Sequence, residues 1–165
     1  MVLTGVTSRR LARRNSMRKP IIFSSLLLFL GVVVALMLAS TAMSGTAASI
    51  AVHQSTYGRV VFDGRGFALY AFTRDSRGDR STCSGLCAKA WPPYVVKAKP
   101  VAGAGAKSSL ISAMRRSDCS LQATYAGRPL YYYRGDKKRG QILCQDVSEF
   151  GGLWIVVRAN GSLVR

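Results

Sequence analysis

Apolar and polar positions divide this chain into three regimes. From Ile21 to Ala39 apolar residues run almost unbroken, interrupted only by Ser24, Ser25 and Gly31. Ahead of that run stand Arg9, Arg10, Arg13, Arg14, Arg18 and Lys19 with no acid among them, and mostly small residues follow it up to Ser49. Beyond Tyr57 the pattern changes. Short apolar and aromatic runs alternate with Gly, Asp and Pro, a pattern of strands and turns and not of long helices.

Residues 57–62 and 67–72 are expected strands around Asp63-Gly64, since Asp-Gly between apolar runs favours a hairpin. Residues 121–125 and 130–133 repeat the plan around a turn at 126–129. A late strand is expected at 153–158, followed by a turn at Asn160-Gly161 and a short edge at Leu163-Val164. Two stretches read as helical. One is 84–91, stopped by Pro92-Pro93; the other is 108–116, where Leu110, Ile111 and Met114 have helical spacing. Residues 100–106, built of Ala, Gly, Val and Pro, read as a flexible connector, and 49–56 as a tether holding the only histidine, His53.

The pattern Tyr-x-aromatic-x-x-Asp occurs twice, at Tyr70-Ala71-Phe72-Thr73-Arg74-Asp75 and at Tyr131-Tyr132-Tyr133-Arg134-Gly135-Asp136. A cysteine, Cys83 or Cys144, stands beyond each aspartate at the same distance, and the two copies are offset by 61 residues. One small unit has therefore been used twice. The expected fold is a mainly antiparallel β domain over 57–165, built of two similar halves at about 57–99 and 119–158, with one or two short helices.

Residues 1–48 follow the basic, apolar, small order of an export signal. The apolar run of 19 residues also approaches the ~20 that span a bilayer, so a cleaved signal and an uncleaved transmembrane anchor both remain open. In either case the positive-inside bias keeps the basic end in the cytoplasm and exports the rest. Six of the 24 Lys and Arg lie in this leader, leaving 18 against all seven acids, a net +11 on the exported part. Such a charge suits contact with anionic surfaces. The cations are scattered, however, as they would be if they served only solubility.

Few catalytic classes survive. There is no phosphate-binding glycine loop, zinc-finger spacing or RNP-type strand, so neither specific nucleic-acid recognition nor a bound cofactor is expected. The acids carry no metal-ligand spacing, and a lone histidine in a tether leaves a serine or cysteine nucleophile without a placed base. Four cysteines in an exported domain read as two disulfides. Three pairings are open, of which Cys83–Cys87 with Cys119–Cys144 is the expected one; a four-thiolate zinc site and a redox-active Cys83/Cys87 pair are the competing ideas.

The repeated motif holds the candidate binding residues. Tyr70 and Phe72 share one strand face, as do Tyr131 and Tyr133. Asp75 and Asp136 sit where those strands end and can accept N–H bonds from the next turn. With Trp91 and Trp154 they form either an aromatic shelf for a ligand ring or the core of a small domain.

Asp63-Gly64-Arg65-Gly66, Leu69 through Asp75, Cys83-Ser84-Gly85-Leu86-Cys87 through Trp91-Pro92-Pro93, Tyr125 through Asp136, and Phe150-Gly151-Gly152-Leu153-Trp154 together resemble one family. It is the bacterial secreted-repeat family, also described as predicted lipoproteins with the Tyr-x-(Phe/Trp/Tyr)-x-x-Asp motif. The resemblance covers about residues 57–157. It implies an exported, often lipid-anchored protein of unknown function, and it supplies no catalytic residues. This chain departs from the pattern: no cysteine precedes Cys83 to carry a lipid, and Cys119 and Cys144 are additions to the Cys83/Cys87-type pair. The leading expectation is a non-enzymatic envelope or extracellular module. Its partner would be an envelope component or a protein, with the membrane engaged through the leader if that is uncut. A thiol-disulfide redox or cofactor-binding protein and a polyanion-binding module are the alternatives.

Overall fold

The computed structural model describes residues 47–77 and 80–165. They form ten short strands and one short helix: β1 (Ser49–Ser55), β2 (Gly58–Asp63), β3 (Tyr70–Phe72), α1 (Leu86–Ala90), β4 (Val95–Val96), β5 (Val101–Ala102), β6 (Ile111–Arg115), β7 (Leu121–Tyr125), β8 (Arg128–Pro129), β9 (Val147–Glu149) and β10 (Gly152–Val156). Three small sheets result, ordered β2-β1-β5, β3-β10-β9 and β4-β7-β6, with β8 added to β7. All pairs are antiparallel except β1 with β5.

The halves are intertwined, not placed side by side. Residues 153–157, from the second half, run antiparallel to 69–73 of the first: Val156 opposes Tyr70, Trp154 opposes Phe72, and the Thr73 amide donates to the Leu153 carbonyl. The equivalent segment of the first half, 90–94, crosses the other way and runs along 130–134. There Pro93 opposes Tyr131 and the Arg134 amide donates to the Ala90 carbonyl. The exchange continues one layer out, with Val61 N–H on the Val157 carbonyl and Ala123 N–H on the Tyr94 carbonyl, both 2.9 Å. Where the two aromatic strands meet, Tyr70 and Tyr131 bridge each other directly.

These crossings bury the central strands on both faces. Along 69–72, Leu69 and Ala71 enter one core while Tyr70 and Phe72 enter the other; Val61 and Phe62 divide likewise, as do Val157 and Val156. Period-two alternation therefore feeds two cores, which is why these strands read as continuous apolar runs. α1 spans five residues, begins after Gly85, and ends before Pro92-Pro93, where a further turn has no N–H to donate.

Several expectations need correction. The tether at 49–56 is instead β1, paired with β2 over six residues, with Ile50, Ala51 and Val52 buried. The helix expected at 108–116 is a single 3-10 turn, Ser108–Leu110, followed by β6. Its apolar spacing fits either period, and pairing with β7 decides for the strand. The connector at 100–106 contains β5, which pairs with β1. The bridge expected between Cys119 and Cys144 is absent: Cys119 is exposed in the β6–β7 turn, Cys144 is buried in the aromatic core, and both are free thiols. Cys83 and Cys87 are joined. The expected transmembrane helix is withdrawn. Among the described residues no helix is long and apolar enough to cross a membrane, and the apolar run at 21–39 lies outside them.

Candidate functional site

The repeated motif folds into a pair of reciprocal locks. Tyr70 Oη donates to Asp136 Oδ2 at 2.7 Å, and Tyr131 Oη donates to Asp75 Oδ2 at 2.5 Å, so each tyrosine holds the aspartate of the opposite copy. The second oxygen of each aspartate closes its own loop seven residues on. Asp75 Oδ1 accepts from the Thr82 amide at 2.7 Å, and Asp136 Oδ1 accepts from the Leu143 amide at 3.1 Å. Between the locks Trp91 and Trp154 lie face to face, with centroids 4.1 Å apart and planes 4° from parallel. Phe72 stacks on the far side of Trp154, and Tyr133 tilts against Trp91. Gly135 is required here, since a Cβ would overlap the Tyr133 ring.

Most of the proposed aromatic shelf is thus the core. Tyr70, Trp91, Tyr131 and Trp154 have no exposed surface, Phe72 is buried, and Tyr133 alone is partly open. The rings named as a ligand shelf pack on each other. Burial pushes the Tyr70 and Tyr131 hydroxyls well above the ordinary range, and the neighbouring carboxylates add to the effect. Burial also raises the Asp136 carboxyl, against its bonds from Tyr70 and Leu143.

The cysteines are enclosed in a similar way. Cys83 and Cys87 are buried, and the Arg116 guanidinium, itself buried, donates to the Cys83 carbonyl at 2.7 Å. Arg116 also donates to Ser81 Oγ and Gln122 Oε1, and Ser81 meets the Tyr131 hydroxyl at 2.6 Å. The disulfide loop is therefore tied to one of the Tyr–Asp locks. With those two sulfurs bonded to each other, four thiolates cannot converge on zinc. Among the described residues no group of three or more His, Cys, Asp or Glu is placed to hold a metal.

One groove among the described residues involves side chains outside the site expected from the sequence. It encloses about 860 Å³ between the β2–β3 turn and β4, and Arg65, Tyr94, Lys97, Lys99 and Tyr132 line it. A smaller hollow of about 180 Å³ shares Arg65 and Tyr132 and adds Tyr133 and Arg134. Buried Asp63 organises the mouth. It accepts Arg65 Nε at 2.8 Å, the Arg65 and Phe67 amides at 2.9 Å, and the Tyr132 hydroxyl at 3.0 Å. Arg65 keeps most of its side chain in solvent and lies over the Phe67 and Tyr132 rings. Burial raises the Tyr132 hydroxyl, with the Asp63 charge second. Among the described residues neither lysine makes an ion pair. One signal was present in the sequence: Tyr132 lies between Tyr131 and Tyr133, so alternation sends it to the opposite face.

The pattern of a family described as a secreted repeat of unknown function matches residues 51–94 and 112–158. The two matched stretches are the two intertwined copies, now including β1, and they leave β4 with the connector between them. No curated protein and no solved structure matches the chain.

Proposed function

Because the chain belongs to the family of secreted repeats of unknown function, we propose that it works outside the cytosol as a non-enzymatic binding module. One observation carries this reading. The residues that both copies share are spent on holding the fold, while a separate groove is lined by Arg65, Tyr132 and two lysines that make no ion pair among the described residues. A rigid body with a preformed cationic groove suits recognition more than turnover, since the reactive groups of the motif are already bonded to each other.

The net positive charge of the exported part points to an acidic component of the cell envelope as the partner class. The test is co-sedimentation of the purified full chain with isolated envelope fragments across a salt series. Saturable binding that weakens as salt rises is expected. Absence of binding at low salt, or turnover of an envelope component by the protein, would overturn the reading.

A further inference from the structure

The two copies each carry a groove at equivalent positions, and the two are lined differently. With Arg77 as its one cation, the second hollow, of about 570 Å³, is lined by Ala126, Asn160 and Ser162 among others. Under the repeat offsets (61 residues for the hairpins, 63 for the return strands), these positions correspond to Arg65, Lys97 and Lys99 of the first groove. Tyr132 corresponds to Ala71 and Tyr94 to Val157, while the strand register makes Tyr125 the equivalent of Asp63. By contrast the core pairs Tyr70/Tyr131, Asp75/Asp136 and Trp91/Trp154 are identical. Positions that hold the fold repeat because the fold repeats. The three cations of the first groove, Arg65, Lys97 and Lys99, have uncharged counterparts in the other copy and lie outside both cores.

The groove is also chemically prepared. The Asp63 carboxylate is saturated by four donors, so it presents little free negative charge to a ligand. Its bond fixes the Arg65 guanidinium through Nε, Nη2 donates to the Tyr132 hydroxyl at 3.4 Å, and most of the side chain stays in solvent. Lys97 and Lys99 are exposed along the same groove. Tyr132, half-buried, supplies ring surface and packs on buried Tyr94, 5.3 Å apart between centroids. Fixed and mobile cations beside aromatic rings match a chain of sugar rings carrying anionic groups.

We propose that this groove binds an acidic oligosaccharide, its carboxylate or phosphate groups on Arg65, Lys97 and Lys99 and its rings against Tyr132. This deepens the binding reading and depends on it.

The experiment is calorimetric titration of the full chain with oligogalacturonate, a phosphorylated oligomannoside, an uncharged oligomannoside, and a single-stranded oligonucleotide of equal charge. At least one acidic oligosaccharide binds, and the two acidic arms identify the anion; the uncharged sugar binds at least about tenfold more weakly. Lys97→Gln with Lys99→Gln, both on exposed side chains, weakens binding about five- to tenfold. Lys137→Gln with Lys138→Gln removes the same charge from exposed positions outside the groove and changes it less than about twofold. Equal loss in both double variants, tighter binding of the oligonucleotide, equal binding of the uncharged sugar, or silence of both acidic arms each overturns the groove assignment. Envelope co-sedimentation that persists under any of these outcomes leaves the broader reading standing, so the two failures are separable.

Discussion

Tyr70 and Tyr131, equivalent residues of the two copies, meet in an antiparallel bridge in which each amide donates to the other's carbonyl at 2.9 Å. Each hydroxyl then reaches the aspartate of the opposite copy. The domain is thereby closed at its centre by a pair of exchanged contacts, and stability should be concentrated there. Tyr70→Phe leaves one oxygen of a buried carboxylate without its donor and is expected to cost ~1–3 kcal/mol. Tyr131→Phe should cost a similar amount and also loosen Ser81 and the disulfide loop. Denaturant unfolding measures both; a loss below the resolution of the method in either variant would contradict the lock.

The exchange of strands makes each half incomplete. A fragment of residues 47–106 lacks 153–157, which cover its aromatic strand, and β7, which covers β4. It is expected to remain unfolded by circular dichroism, whereas mixing it with a 107–165 fragment should restore strand signal. Cooperative thermal unfolding of the first fragment alone would show that the halves are independent.

The thiols are ranked by accessibility. Cys119 is exposed and should react with a thiol reagent in the native protein. Cys144 is buried, and burial raises its thiol further from ionisation, so it should react only on unfolding. Cys83 and Cys87 should be silent until a reductant is added. Mass spectrometry of alkylated protein reads one label, then two, then four. Native labelling of Cys83 or Cys87 without reductant would show the bridge to be open.

Acid and alkali should act through different groups. Asp136 is raised from 3.8 by burial, so the fold favours its protonated form. Its contribution is fully present below that value and is lost as pH rises through the raised one. Asp136→Asn should therefore flatten the stability profile over the pH range just above the ordinary carboxylate value. Chemical unfolding across that range measures it, and an unchanged slope would place the titration elsewhere.

Burial holds the Tyr70, Tyr131 and Tyr132 hydroxyls above 10.0, and the fold favours them neutral. That stability is complete below the ordinary tyrosine value and is lost as pH rises through the higher folded ones. Tyrosinate absorbance should then rise in two stages, the second coinciding with loss of strand signal. A single stage complete before unfolding would mean the three rings are solvated.

Much of the local structure was legible in the chain. Asp63-Gly64 marked the first hairpin, the copies of the motif marked the duplication, and Pro92-Pro93 marked the end of α1. The failures have a common cause. β1 and β6 each contain a short apolar run whose period is ambiguous, and β5 has only two residues; all three are strands because a partner lies beside them. The groove was missed for a similar reason. Arg65 lies in a turn, Lys97 and Lys99 follow β4, and Tyr132 belongs to the second copy, so nothing in their spacing brings them together.

The sequence by itself determined that one β unit was used twice, where its first hairpin turns, and which aromatic and acidic residues recur. Only the tertiary structure decided that each half lends its return strand to the other, that Tyr70 serves Asp136 and Tyr131 serves Asp75, and that four cysteines make one bridge. The reason is physical. Alternation and turn chemistry act between near neighbours and are written in the order of residues. A strand's partner is chosen by burying both faces and satisfying every amide at once, and that choice is made across the whole chain.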